Sequence, residues 1–147
     1  MSQAAELTRF LHANIPLTEA MQLTALSWDG QQLLLSAPLA PNVNDKGTAF
    51  GGSLYNVAVL CGWSLLRLKL DEEGLEKKNI VIQEANTRYL LPVAGELRAE
   101  CHLVVEAWQD FLQALQKRGR ARITLTVTIR QSDKPAVEFT GTYVALD

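Results

Sequence analysis

Cysteine is scarce in this sequence and carries no pattern: Cys61 and Cys101 lie far apart, with no paired spacing. That excludes a disulfide framework and points to buried, reduced thiols, hence to a reducing compartment, with the cytoplasm as the expected location. Histidine is equally rare. Neither His12 nor His102 has a Cys or His at ligand spacing, so no metal site is expected. An excess of positive charge is missing too. The 14 Lys and Arg against 16 Asp and Glu leave a net charge of −2, which argues against a general nucleic-acid binder. Nor is there an unbroken apolar span. The segment from Ala49 to Leu66 is uncharged, but Ser53, Asn56 and Ser64 interrupt it and Gly51, Gly52 and Gly62 lie within it. With no further span and no signal-peptide pattern in front, a membrane protein is not expected.

What is present suits a globular domain. Apolar residues make up 48% of the 147 residues and charged residues 20%, enough for a real core, and one domain over residues 1–147 is expected. The chain is organised around Pro41 to Leu70. This stretch opens with Asn, Asp and Gly, then enters an apolar segment at Gly51-Gly52 whose only charges are Arg67 and Lys69. The pattern predicts a polar loop feeding a helix over Thr48 to Leu70, about 34 Å long at about 1.5 Å per residue. Phe50, Leu54, Val57, Val59, Leu60, Cys61, Trp63, Leu65 and Leu66 cover most of its circumference. A helix apolar all round, outside a membrane, must be enclosed by protein.

The flanking segments supply the enclosure. Ser2 is a plausible N-cap for a short helix through Asn14, stopped by Pro16. Met21 to Trp28 and Gln31 to Ala37 read as strands joined across Asp29-Gly30, a type I′ hairpin signal. Asp71-Glu72-Glu73-Gly74 reads as a solvated turn after the helix. Four strands follow, at about Ile80 to Leu91, Glu96 to Glu106, Arg120 to Arg130 and Ala136 to Leu146. In the second, Leu97, Ala99, Cys101, Leu103 and Val105 share a face, and the third alternates more cleanly. The first does not alternate: Glu84, Asn86 and Arg88 fall on the same parity as Ile80 and Ile82. Trp108 to Lys117 fits either an amphipathic turn of helix or a long hairpin connection. Asp133-Lys134-Pro135 turns into the last strand. The class is α+β, an antiparallel sheet wrapped around one long buried helix, with a short N-terminal helix.

That arrangement resembles the hotdog fold of acyl-thioester enzymes. The residues that carry the resemblance are Ala37-Pro38-Leu39, Asn42 to Thr48, Phe50-Gly51-Gly52-Ser53-Leu54 and the later Tyr89 to Leu97. The chain is most similar to the thioesterase-like domain found at the C-terminal end of bacterial bifunctional acetyltransferase proteins, and also found alone. That group includes malonyl-acyl carrier protein decarboxylases, which form acetyl-carrier to start fatty acid synthesis. The resemblance implies a homodimer with the site between subunits, and an acyl carrier protein or coenzyme A thioester as partner. No separate cofactor is implied, because the substrate carries its own phosphopantetheine or coenzyme A. Two departures matter. Many hotdog thioesterases have His-Gly-Gly where this chain has Phe50-Gly51-Gly52, and a carboxylate where Val59 stands. A hydrolytic base from this helix is therefore absent.

Helix starts expose unpaired N–H groups, and glycines let a ligand approach the backbone. A thioester carbonyl at this helix start would find the N–H of Gly51 or Gly52; the bland alternative is that Gly-Gly permits tight helix–sheet packing. Asn44 is the candidate to polarise the carbonyl, or it only makes a side-chain turn. Asp45 is a base for hydrolysis or a brace for the loop. Thr48 would cap the helix or touch substrate, with Phe50, Gly52 and Ser53 shaping the site. The cluster Lys117-Arg118-Gly119-Arg120-Ala121-Arg122 would attract coenzyme A phosphates or the acidic surface of a carrier protein, or is a solvated basic turn; Arg88 is a weaker candidate for the same role or for a subunit contact. The expected activity is decarboxylation of a malonyl thioester. Thioester hydrolysis through Asp45 is the runner-up, and non-catalytic acyl-carrier binding is the third reading.

Overall fold

Helix α1 (Gln3–Asn14) begins at Ser2, whose hydroxyl accepts the Ala5 N–H at 3.1 Å, in a computed structural model that describes residues 1–147. Pro16 ends α1 and also opens a second helix, α2 (Pro16–Ala20), at the first position, where its missing N–H is no loss. Met21 therefore belongs to the turn after α2, not to a strand, and Gln22 takes φ 57°. Strands β1 (Thr24–Trp28) and β2 (Gln32–Ala37) form the expected hairpin. At its tip the Asp29 carboxylate accepts the N–H of Gln31 and Gln32, and those bonds hold its pKa below the usual carboxylate range. Gly30 alone takes a positive φ there (97°), so the turn is not the type I′ that Asp-Gly predicts.

After a 3-10 turn (Ala40–Asn42), the long helix α3 spans Gly51–Glu72. It starts later than the sequence predicts, because Thr48 and Ala49 are held by the loop before it, and it runs through Asp71 and Glu72. Gly74, at φ 72°, makes the turn that follows. β3 (Asn79–Tyr89), β4 (Leu97–His102), α4 (Val105–Arg118), β5 (Ala121–Gln131) and β6 (Lys134–Leu146) complete the chain. Trp108 to Lys117 is thus helical. Trp108, Phe111 and Leu115 form its buried face, and Gly119 in the left-handed region ends it. Val105, which the alternation assigned to the inner face of a strand, is an exposed residue opening α4. The last hairpin turns at Ser132-Asp133, both at positive φ, rather than at Asp133-Lys134-Pro135.

The six strands form one sheet in the order β1-β2-β4-β5-β6-β3, and every pairing is antiparallel. The sheet wraps α3. Cys61 lies against the carbonyls of Leu33 and Ala99, Tyr55 meets the Phe139 ring edge-on, and the Tyr143 hydroxyl donates to the Val59 carbonyl at 2.6 Å. Tyr143 crosses α3 at Gly62, where a Cβ would stand 2.5 Å from its hydroxyl. The mixed polarity of β3 has a simple cause. A bulge between Ile82 and Glu84 changes the register on β6, so Ile80 and Ile82 face the helix beside Ala145 and Tyr143 while Glu84, Asn86 and Arg88 face away. Beyond the bulge the helix side continues with Ala85, Thr87 and Tyr89, opposite Gly141, Phe139 and Val137. β3 is an edge strand, hydrogen-bonded on one side alone.

Candidate active site

Helix α3 begins without a cap. Phe50 occupies the N-cap position in an extended conformation and makes no side-chain bond to the helix. Leu54 N–H is the first to find an acceptor, the Phe50 carbonyl at 3.0 Å. The N–H groups of Gly51, Gly52 and Ser53 have no acceptor within the protein. Three successive donors thus lie open at the positive end of a 22-residue helix dipole, which favours negative charge.

Each glycine here meets an aromatic ring. A Cβ on Gly51 would lie 3.7 Å from the Tyr89 ring, an ordinary contact, whereas one on Gly52 would lie 2.4 Å from the Phe50 ring. Close packing is thus part of the role of Gly52, but the close neighbour is Phe50 rather than the sheet. Phe50 and Tyr89 are both more than half exposed. Tyr89 also donates its hydroxyl to the Gly51 carbonyl at 3.1 Å. Tyr89 is not among the candidate site residues that the sequence offers; the signal for it is an aromatic at the end of a mixed-polarity strand.

The loop before α3 is closed by its own hydrogen bonds. Asn44 N–H reaches the Thr48 carbonyl at 2.7 Å, Ala49 N–H the Val93 carbonyl at 2.8 Å, and Phe50 N–H the Asn42 carbonyl at 2.8 Å. The Asn44 side chain sits inside this turn. Its Oδ1 accepts from the N–H of Lys46 (2.8 Å) and Thr48 (3.1 Å), and its Nδ2 donates to Thr48 Oγ1 at 2.9 Å and, at 3.4 Å, to the Ala49 carbonyl. The side-chain turn weighed from sequence is therefore present. Thr48 does not cap α3; its hydroxyl is spent on Asn44. Asp45 lies on the outside of the loop, 83% exposed and 3.2 Å from Lys46 Nζ. Ser53 is buried in the first helical turn.

The remaining candidates are not gathered here. Arg88 is on the face of β3 turned away from α3, 3.9 Å from Glu138. Lys117, Arg118 and Arg120 lie where α4 meets β5, next to Lys78, whose Nζ donates to the Gly119 carbonyl. That is toward the far end of α3: Arg67 donates to the Lys78 carbonyl, about 24 Å along the helix axis from Gly51. Two surface clefts, of about 580 and 360 Å³, also lie elsewhere, one between α1 and the end of α3 and one on the outer face of β4 and β5. Neither thiol serves as a nucleophile. Burial pushes Cys61 well up and Cys101 to about 12, so both stay protonated. No helix is long and apolar enough to cross a membrane.

Comparison with known proteins follows the same lines. A protein of unknown function from Chlorobaculum tepidum TLS is 40% identical, with 98% of this chain and 94% of that chain covered and a TM-score of 0.91. A "putative thioesterase" from Shewanella oneidensis is 31% identical, with 98% and 97% covered and a TM-score of 0.84. A thioesterase from Haemophilus influenzae, at 15% identity, covers 100% of this chain and 92% of its own with a TM-score of 0.76, and shows the fold alone. The architecture is the hotdog fold. The family described as "Putative thioesterase (yiiD_Cterm)" matches residues 4–147, the open start of α3 included, and the chain belongs to that family.

Proposed function

We propose that the protein acts on acyl thioesters at the start of α3, and that its reaction is decarboxylation of malonyl-acyl carrier protein to acetyl-acyl carrier protein. The observation that carries this reading is the set of unpaired N–H groups at Gly51, Gly52 and Ser53, with no carboxylate or imidazole on the helix from Gly51 to Leu70. Such donors stabilise a negative oxygen without taking a proton. Decarboxylation asks for that, and for a scissile bond turned out of the carbonyl plane, but for no general base. The bond from the malonyl α-carbon to its carboxylate breaks, carbon dioxide leaves, and the electron pair moves onto the thioester oxygen as an enolate. Water then protonates the α-carbon. Asn44 joins the site by exchanging its longer Nδ2 contact, 3.4 Å to the Ala49 carbonyl, for the thioester oxygen. Hydrolysis needs a group to activate water, and Asp45, exposed beside Lys46, is the acidic residue of the loop. The family description favours hydrolysis as the second reading.

A second copy of the chain completes the site in this reading. β3 offers an unpaired edge of 11 residues, and its exposed apolar residues include Val81 and Ile82. Antiparallel pairing of β3 with its symmetry mate sets the Tyr89 end of one strand beside the Asn79 end of the other. The partner's Lys117, the partner's Arg118 and the partner's Arg120 then approach this chain's α3 start, which answers their distance from it within one chain. There they meet the phosphates of phosphopantetheine or coenzyme A. Incubation with malonyl- and acetyl-carrier protein, following carbon dioxide and free thiol, tests the reaction. Carbon dioxide without thiol supports decarboxylation, thiol from both substrates supports hydrolysis, and tight binding without product leaves a carrier-binding module. Sedimentation of a monomer at micromolar concentration would remove the shared site.

A further inference from the structure

The cations of this chain are sorted by place. Seven of the 14 Lys and Arg side chains pair with a carboxylate. Five of the others, Lys77, Lys117, Arg118, Arg120 and Arg122, are exposed and have no such partner. The fold gathers these five at one corner from three segments. Lys78 Nζ donates to the Gly119 carbonyl at 3.1 Å, which sets the turn before β3, with Lys77, beside the end of α4, with Lys117 and Arg118. Arg120 and Arg122 follow at the start of β5, where Arg122 stands opposite Val144 and Val144 opposite Val81. Against them are Glu76, next to Lys77 in the chain, and Asp147, which Lys78 already holds at 2.6 Å. Neither of the two clefts is lined by any of the five. β6 separates β5 from β3, so the cations spread over about 10 Å across the sheet, at about 4.8 Å per strand. A lone phosphate asks for donors that converge on it. An open spread of cations around half-exposed Val81 suits a broad acidic surface instead, and such a surface relieves the repulsion among five unpaired like charges.

We propose that this corner is a docking surface for the acyl carrier protein itself, engaging an acidic face of that protein and not only the phosphate of its arm. Lys77 and Arg122 thereby join Lys117, Arg118 and Arg120. With β3 paired to its symmetry mate, a carrier seated on one subunit delivers its arm to the α3 start of the other. The proposal rests on the thioester reading for its purpose, but the docking is measurable without any reaction.

The test titrates the full-length protein with an acyl carrier protein in its apo form, which lacks the phosphopantetheine arm. Binding should weaken at least about tenfold as ionic strength rises from about 0.05 to about 0.5 M. Lys77→Glu with Arg122→Glu should weaken it at least about tenfold at low salt, with Tm within about 2 °C because both residues are exposed. Arg9→Glu with Arg98→Glu changes the net charge equally, on α1 and β4 toward the β1 side of the sheet, and should leave binding within about twofold. Equal weakening by the two pairs overturns the proposal in favour of net charge. Binding of coenzyme A or holo-carrier without binding of apo-carrier overturns it in favour of phosphate recognition alone. Binding of anionic vesicles in place of apo-carrier overturns it in favour of a lipid surface. Apo-carrier bound at this corner by a protein that turns over no thioester keeps the docking surface and removes the catalytic reading. Turnover of malonyl-coenzyme A without apo-carrier binding does the reverse.

Discussion

The two ends of α3 treat their backbone in opposite ways. At the C-terminal end every device closes the helix. Leu75 N–H bonds the Leu70 carbonyl at 2.9 Å, Gly74 N–H bonds that of Asp71 at 3.1 Å, and Arg67 ties the following turn through the carbonyls of Leu75 and Lys78. At the N-terminal end nothing does. Phe50 leaves the cap position empty of side-chain bonds, and the three N–H groups at Gly51, Gly52 and Ser53 stay open although Thr, Asn and Asp are all present in the loop just before. Asn44 and Thr48 could have served as caps but are bonded to each other instead. A capping bond typically contributes about 1 kcal/mol. Forgoing it leaves that end open to solvent or to a ligand, as the equally uncapped start of α4 is.

The comparison breaks most directly at Gly51→Pro. Proline suits the first helical position, and the extended Phe50 before it accepts a following proline. The substitution removes one open N–H with no internal bond lost. Stability should hold or rise, since proline restricts the unfolded chain. If the Gly51 N–H holds charge in the transition state, kcat falls by about 10²–10³-fold. Unchanged kcat in a folded protein would show that this donor is not part of the site.

Gly62→Ala tests the closed part of the helix. Its Cβ would sit 2.5 Å from the hydroxyl and 2.9 Å from the ring of Tyr143, a fully buried residue bonded to Val59. Neither side can give way easily, and the loss should be about 1–3 kcal/mol in urea unfolding. Gly52→Ala meets a shorter contact, 2.4 Å, but with the far end of the exposed Phe50 ring, which can swing aside. Its stability should change by less than about 0.5 kcal/mol. Equal losses at the two glycines would contradict the contrast between a packed core and an open mouth.

Within the loop, Asn44→Ala and Asp45→Ala should separate cleanly. Asn44 makes four polar contacts, and its removal should cost about 1 kcal/mol of stability along with most of the turnover. Asp45 is 83% exposed, and its removal should leave stability within about 0.5 kcal/mol. Carbon dioxide release should survive Asp45→Ala. Loss of turnover at Asp45 with retention at Asn44 would favour hydrolysis.

Much of the scaffold was legible because burial has a period. α3 is apolar on nearly every side and could only be enclosed, while β5 alternates without interruption. The failures share a cause: a local pattern was overridden by structure that the pattern alone does not show. Val105 continues the apolar alternation of Leu97 to Leu103, yet the chain leaves the sheet after His102 and that residue opens α4. The parity of β3 is scrambled by a bulge at Gln83, visible only against β6. Thr48 looks like a helix cap until Asn44 claims its hydroxyl. The Gly-Gly entry was legible as a place of close approach. What approaches was not, because Tyr89 arrives from a strand that begins beyond the far end of the helix.

The mildest expected effect is on pH dependence, and it again divides the helix. Its middle and the strands packed on it carry groups whose charged forms burial disfavours: Cys61 on the helix and Tyr143 on β6 are raised, and Cys101 on β4 is raised to about 12. Each is neutral in the folded protein, while in the unfolded chain thiols ionise near their model value of 9.0. Their contribution is therefore complete below about pH 9 and is lost as pH rises from there toward the folded-state values. Urea midpoints should be flat with respect to these groups between pH 7 and 8.5, in about the range where unfolded thiols stay protonated, and should decline steadily above it. Thiol reagents at pH 8 should label the native protein far more slowly than the unfolded one. The open end contributes backbone N–H groups that do not titrate in this range. The chemical step of turnover should then lose activity at alkaline pH only in step with unfolding, and a kcat that fell well before the urea midpoint did would place a titrating side chain in the site.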